Sequence, residues 1–297
     1  MRSVSASTSA GFALACLCCT RVEDLILKHT PSPLLRDFVE LFWFRSGGKE
    51  AASATAKEAI LPDGCAHLVI NLSEDVVRFF ERVDSTKMTT LSGSIFSGPQ
   101  SCPYAILPAA EAVIGVRFRP GGTLPFLQMP AAELHNLQLS AESIFGACAA
   151  ELRDRVRAAR TAPRKFVILE QFLLQHLCRP IGLHRAVSYA LNAFELRPSQ
   201  RVSDVLAEIG LSPRRFSQVF KEQVGVTPKL FHRVRRFQRM VAFFPESTGV
   251  DWAGTAIDAG YYDQAHLIHE FRAFSSITPA AFLATRIAQQ SHLPLQS

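Results

Sequence analysis

The chain has 297 residues, room for two ordinary domains of roughly 100–200 residues each. Apolar residues make up 48% and charged residues 20%, which excludes wholesale disorder and fibrous repeats. The net charge of +6 is modest at this length and identifies no partner until it is resolved by position.

At the N-terminus, the apolar stretch 11–19 is nine residues long and follows a single Arg2. It is short of an export signal and far short of the roughly 20 residues that span a bilayer. Residues 1–30 are therefore expected to be an unstructured extension, and no membrane partner is expected. Seven cysteines (16, 18, 19, 65, 102, 148 and 178) are scattered; the run Cys16–Cys19 is dense, but no second cluster and no His at zinc spacing completes a tetrahedral site. Such a scatter fits reduced thiols in a cytoplasmic protein, with no metal site.

Residues 31–130 read as a β-rich domain. Leu34–Trp43 begins with helix-like spacing, while Leu68–Leu72, Val76–Phe80, Tyr104–Leu107 and Val113–Arg119 are short apolar or alternating runs. Turn residues at Pro62–Gly64, Ser92–Ser94, Ser97–Pro99 and Pro120–Gly122 separate them, the pattern of a small sandwich or barrel. Residues 131–197 turn helical and are expected to form a linker region that ends near Arg197-Pro198.

The remaining third contains a repeat. With Ser212 and Asp263 in register, Phe216 matches Leu267, Phe220 matches Phe271, and Thr227-Pro228 matches Thr278-Pro279. Each unit reads as two short helices around a tight turn. In the first, Val202–Ile209 ends at Gly210, and Ser212 caps a second helix opening on Pro213. In the second, Asp251 precedes a helix from Trp252 to Ala259, Gly260 ends it, and Asp263 starts the next. Pro228–Phe244 is expected to be a helix connecting the units.

Charge follows the repeat. Residues 1–200 carry net +3, residues 201–240 net +6 and residues 241–297 net −3. The peak comes from nine basic side chains, including Arg233, Arg235, Arg236 and Arg239 on the connecting helix, and is expected to form a polyanion-binding face. A helix-turn-helix places its second helix in the major groove, where Arg pairs with guanine and Gln with adenine. Outward positions on the second helices are Arg214, Arg215, Ser217, Gln218 and Lys221 in unit one. In unit two they are Gln264, His266, His269 and Arg272.

The segments Gly210–Pro228 and Gly260–Phe274, ending at Thr278-Pro279, resemble the AraC/XylS family of bacterial transcription regulators. The resemblance covers about residues 199–285 and implies a seven-helix domain with two helix-turn-helix units, here residues 198–286, followed by a tail at 287–297. It implies base-facing positions at Arg214, Ser217, Gln218, Gln264, Ala265, His266 and His269. Phosphate contacts are expected at Arg215, Lys221, Arg236 and Arg272. Leu61–Cys65, Gly115–Gly122 and Glu133–Asn136 resemble an N-terminal sensing or dimerisation domain of a subgroup of these regulators. Leu206, Thr255, Ser276 and the missing base-facing Arg of unit two depart from the family pattern.

The expected fold is α+β, with a β-rich N-terminal sandwich or barrel, a helical linker and an all-α double helix-turn-helix domain. Double-stranded DNA is the expected partner; RNA polymerase, a small-molecule effector and a second copy of the chain are further candidates. No Gly-rich phosphate loop, nucleophile elbow or Cys–His pattern appears, so neither an enzyme nor a cofactor is expected. The competing readings are a catalytic or ligand-binding N-terminal domain, or a C-terminal domain that serves only as an interaction module. Cys65 could be a sensor thiol or a buried cysteine. Arg117 and Arg119 could meet an anionic ligand or lie on an exposed strand face.

Overall fold

The computed structural model describes residues 26–46, 57–107, 112–178, 182–197, 200–242 and 250–284, and the backbone of 13–15. In chain order the strands are β1 (Ala13–Ala15), β2 (Ile26–His29), β3 (Val39–Ser46), β4 (Glu58–Ile60), β5 (His67–Asn71) and β6 (Val76–Phe80). They continue with β7 (Thr89–Ser92), β8 (Ser94–Ser97), β9 (Tyr104–Ile106), β10 (Ala112–Phe118) and β11 (Gln138–Ser140). The helices are α1 (Glu142–Phe145), α2 (Cys148–Ala158), α3 (Ala162–Gln175), α4 (Arg185–Leu196), α5 (Val202–Ile209), α6 (Pro213–Val224), α7 (Pro228–Ala242), α8 (Trp252–Asp258) and α9 (Gln264–Ser275).

The strands form two sheets, ordered β1-β4-β9-β6-β7 and β11-β8-β5-β10-β3-β2. On β10, Ile114, Val116 and Phe118 share one buried face with Phe42, Leu68, Ile70 and Phe96. Helices α2 and α3 cover that face with Leu152, Phe166, Leu169 and Phe172. The opposite face of β10 carries Arg117 and Gly115, against which the Trp43 ring packs so closely that a Cβ would meet it at 2.5 Å.

Three expectations are corrected here. The helix-like run Leu34–Trp43 is a turn followed by β3, which pairs antiparallel with β10 on one side and β2 on the other. The expected extension 1–30 contains β1 and β2, both paired within sheets. The helical stretch 131–197 is not one linker. Its α2 and α3 complete the N-terminal core, whereas α4 buries Val187, Ala190 and Phe194 in the core of the first helix-turn-helix unit.

Candidate nucleic-acid interface

Helix α5 ends at Gly210, whose φ of +69° is the left-handed conformation Gly adopts at least cost. Ser212 then caps α6, its Oγ accepting from Arg215 N at 3.3 Å. Phe216, Val219 and Phe220 bury one stripe of α6 against Phe194, Val205 and Phe231. The other stripe leaves Arg214, Arg215, Gln218 and Lys221 exposed and Ser217 half-buried. Arg214 has no ion-pair partner among the described residues. Arg215 donates to Gln218 Oε1 at 3.3 Å, and Gln218 in turn donates to Glu222 at 2.9 Å.

The second unit repeats these devices. Asp251 Oδ1 accepts from Ala253 N and Gly254 N at the start of α8, and Asp263 Oδ1 accepts from His266 N at 2.7 Å at the start of α9. Leu267, Phe271 and Phe274 face the core with Phe237, while Gln264, Ala265, His269 and Arg272 are exposed. His266 is half-buried. Tyr262, in the turn before the cap, lies outside the expected set and is 88% exposed.

The repeat extends to the helix ends. Gly225 caps α6 at φ +96°, and its counterpart 51 residues on, Ser276, caps α9 at φ +66°. A serine there carries left-handed strain that Gly avoids, so Ser276→Gly is expected to stabilise the protein by about 0.5–1 kcal/mol. The midpoint of urea unfolding checks this; an unchanged or lower midpoint contradicts it.

Helix α7 belongs to both units, with Phe231 in the first core and Val234, Phe237, Met240 and Val241 in the second. Its four arginines do not form a polyanion-binding face, which corrects the charge-based expectation. Arg233 and Arg236 pair with Glu270 at 2.5 and 2.6 Å, and Arg235 and Arg239 pair with Glu195 at 2.7 and 4.0 Å. Burial alone would raise the pKa of Glu270, but the Arg236 and Arg233 hydrogen bonds outweigh it and lower the carboxyl below its ordinary value. Arg236 also donates to Gly260 O at 3.1 Å and lies over the Tyr261 ring. With its side chain 12% exposed and turned inward, it is not placed to meet a phosphate. Arg201, Arg214, Arg215, Lys221 and Lys229 keep the exposed basic character of this region.

The N-terminal domain docks directly on these helices. Leu61 enters the buried cluster of Val234, Phe237 and Phe271, and Pro62 O accepts from Gln238 Nε2 at 2.6 Å. Gly64, at φ +72°, lies against Phe231, where an added Cβ would come within 3.3 Å of the ring. Gly225 abuts Pro99 and Ala131 O, and Gly121 abuts Leu183 and Gln223 O. The three N-terminal motifs singled out in the sequence thus all border the helix-turn-helix domain.

Behind the docked loop lies a buried polar cluster. Asp63 Oδ2 meets His67 Nε2 at 3.0 Å and Arg117 Nη2 at 3.2 Å, and Arg117 Nε also pairs with Glu40 at 3.3 Å. Arg117 is therefore neither on an exposed strand face nor open to a free anion. Arg119 donates to Arg36 O at 2.7 Å. Cys65 is buried, and burial together with the charge of Asp63 pushes its thiol up to about 12, so it stays protonated and unreactive. A recess lined by Leu61, Asp63, His67, Ser97, Gln100 and Tyr104 adjoins the cluster, with a volume of about 10 Å³, room for about one water. Among the described residues, no helix is long and apolar enough to cross a membrane.

A family model described as a helix-turn-helix domain matches residues 205–285, and one described as a domain of unknown function (DUF6597) matches residues 27–140. No curated protein matches the chain. Among solved structures, the chain is similar to ToxT from Vibrio cholerae bound to (E)-4-(8-methylnaphthalen-1-yl)but-3-enoic acid, with a TM-score of 0.46 and 9% identity. That comparison covers 88% of this chain and 98% of the other. A second ToxT structure gives a TM-score of 0.42 at 11% identity over 76% of this chain and 92% of that one. The AraC-like transcriptional activator CuxR gives 0.27 at 14% identity over 74% and 87%. Over residues 205–285, this chain carries a helix-turn-helix domain of the AraC type.

Proposed function

We propose that the protein is a sequence-specific, DNA-binding transcription regulator that reads the major groove through α6 and α9. The observation that carries this reading is the pair of capped helix-turn-helix units, each with one apolar stripe buried and one polar stripe exposed. On α6, Arg214, Ser217 and Gln218 supply base readout, and Arg215 and Lys221 neutralise phosphates. On α9, Gln264 and His269 face the groove and Arg272 the backbone. Direct readout is concentrated in unit one, where arginine and glutamine stand together.

The N-terminal domain modulates this binding through the loop 61–65. What supports this is its position on α7, the helix whose residues enter both units' cores. A small-molecule effector acting on that domain, RNA polymerase and a second copy of the chain are the further partners of this reading. It is a regulator in the bacterial cytoplasm and not an enzyme.

Arg214→Ala tests the reading on a duplex that the full-length protein selects from a random-sequence pool. Losing a bidentate base contact costs roughly 1–3 kcal/mol, about 5- to 150-fold in affinity, and relaxes preference at the contacted base. Arg215→Ala should instead weaken all sequences alike and lower the salt slope by about one. Unchanged affinity in Arg214→Ala, or binding insensitive to salt, contradicts the assignment.

A further inference from the structure

The two recognition helices are not equivalent. On α6 Arg214 and Gln218 project from the surface, but on α9 the half-buried His266 ring is engaged by the protein. Its Nδ1 accepts from Tyr262 N at 3.3 Å, so the ring's own proton sits on Nε2 when the ring is neutral. That Nε2 lies 3.7 Å from Glu270 Oε1, and the ring packs edge-on against Tyr261 at 5.5 Å. Both nitrogens are thereby directed at the protein. Glu270 is in turn held by Arg233 and Arg236 of α7, so the His266 ring that accepts from the turn before α9 stands beside the ion-pair cluster joining α9 to the connecting helix.

What this ring holds in place is the backbone of Tyr262. Adjacent tyrosines in that turn point in opposite senses. Tyr261 is buried under Arg236, whose guanidinium lies 4.5 Å from the ring centre, whereas Tyr262 is 88% exposed. Tyr262 corresponds in the repeat register to Leu211, which is half-buried and packs on the core of unit one. Unit two thus has an exposed aromatic hydroxyl at a position that unit one uses for packing. A helix-turn-helix brings the beginning of its second helix to the DNA, and tyrosine hydroxyls are among the donors that meet phosphate oxygens.

We propose that Tyr262 is a DNA-backbone contact of unit two, donating its hydroxyl to a phosphate, and that His266 is a positioning residue that fixes Tyr262 rather than a reader of bases. This rests on the DNA-binding reading above and assigns the work within unit two. It accounts for a second unit that lacks a base-facing arginine: that unit mainly holds register on the duplex while unit one carries most of the sequence readout.

The experiment uses the full chain and a duplex it selects from a random-sequence pool, with all single-base variants of that duplex as competitors. Tyr262→Phe should weaken binding about 2- to 10-fold, the range of one net hydrogen bond, and leave the order of preference among base variants unchanged. Tyr262→Ala should weaken it at least as much. His266→Ala should weaken binding to a similar degree without altering base preference. His266→Asn, whose Oδ1 can accept the Tyr262 N–H in place of Nδ1, should restore most of the loss. Full affinity in Tyr262→Phe and Tyr262→Ala overturns the contact. A shifted base preference in His266→Ala that His266→Asn does not repair overturns the positioning role. Either result leaves the DNA-binding reading standing if Arg214→Ala still loses affinity. A wild-type chain that selects no duplex overturns both.

Discussion

Leu61→Ala, a substitution in the β-rich domain, is expected to destabilise the helices of the second helix-turn-helix unit by about 2–5 kcal/mol. Leu61 is 4% exposed, and the buried apolar residues it clusters with are not those of its own sheets. They are Val234, Phe237, Met240 and Val241 of α7, Ala256 of α8, and Leu267 and Phe271 of α9. Truncation leaves a void among large, close-packed rings that cannot collapse without moving α7, and the cost of such a void adds to the lost burial of three carbons. Hydrogen exchange gives the reading its specificity. Amides of α7 and α9 should lose protection in Leu61→Ala. Ile70→Ala, equally buried but in the core beneath α2 and α3, should spare α9 by comparison. Equal loss of α9 protection in both variants would mean that the chain opens only as a whole, and no local coupling through the loop could then be claimed. If the coupling holds, DNA affinity should also fall in Leu61→Ala, since α7 sets how the two units face one duplex.

The parts of this molecule that the sequence discloses are those set by local chemistry. Gly210, Ser212, Asp251 and Asp263 declare helix ends because a left-handed terminus or a side-chain cap is decided within four residues. The apolar stripes of α6 and α9 follow from helical period in the same way. Strand β3 is harder to read. Val39, Phe42 and Trp43 are buried on both faces of a strand paired on both sides, so the alternation of a half-exposed strand is absent and the spacing mimics a helix.

The charge peak shows a different limit. Arg233, Arg235, Arg236 and Arg239 look like a basic surface until Glu195 of α4 and Glu270 of α9 are brought beside them, and no local pattern announces such distant partners. His266 is misleading for the same reason. Its outward position on the helical wheel is clear from spacing, but the Tyr262 amide that holds its ring and the Glu270 carboxylate beside it appear only in three dimensions. Leu61–Cys65, Gly115–Gly122 and Glu133–Asn136 are visible as motifs, yet that they meet at a domain interface is a property of topology alone.

Asp63→Asn should cost about 3–5 kcal/mol near neutral pH, as removal of one partner from a buried ion pair does. The side chain is nearly isosteric, so packing does not explain the loss. Asp63 Oδ1 accepts from Cys65 N at 2.9 Å, which an asparagine can preserve through its own oxygen. The amide nitrogen then falls where Oδ2 met His67 and Arg117, setting an N–H₂ donor against a buried guanidinium. The pH dependence carries a definite sign. Burial by itself would raise the pKa of Asp63, but the His67 and Arg117 charges outweigh it and hold the carboxyl well below the ordinary carboxylate range. A depressed folded-state pKa means that the stabilisation is fully present above the unfolded value of about 4 and is lost as pH falls from there towards the folded value. The stability difference between wild type and Asp63→Asn should therefore be present at pH 5 and narrow steadily below pH 4. Urea unfolding at pH 7, 5, 4 and 3 measures it. A difference that stays constant or widens in acid would show that the aspartate stabilises the docked loop through its shape and its Cys65 hydrogen bond, and not through its charge.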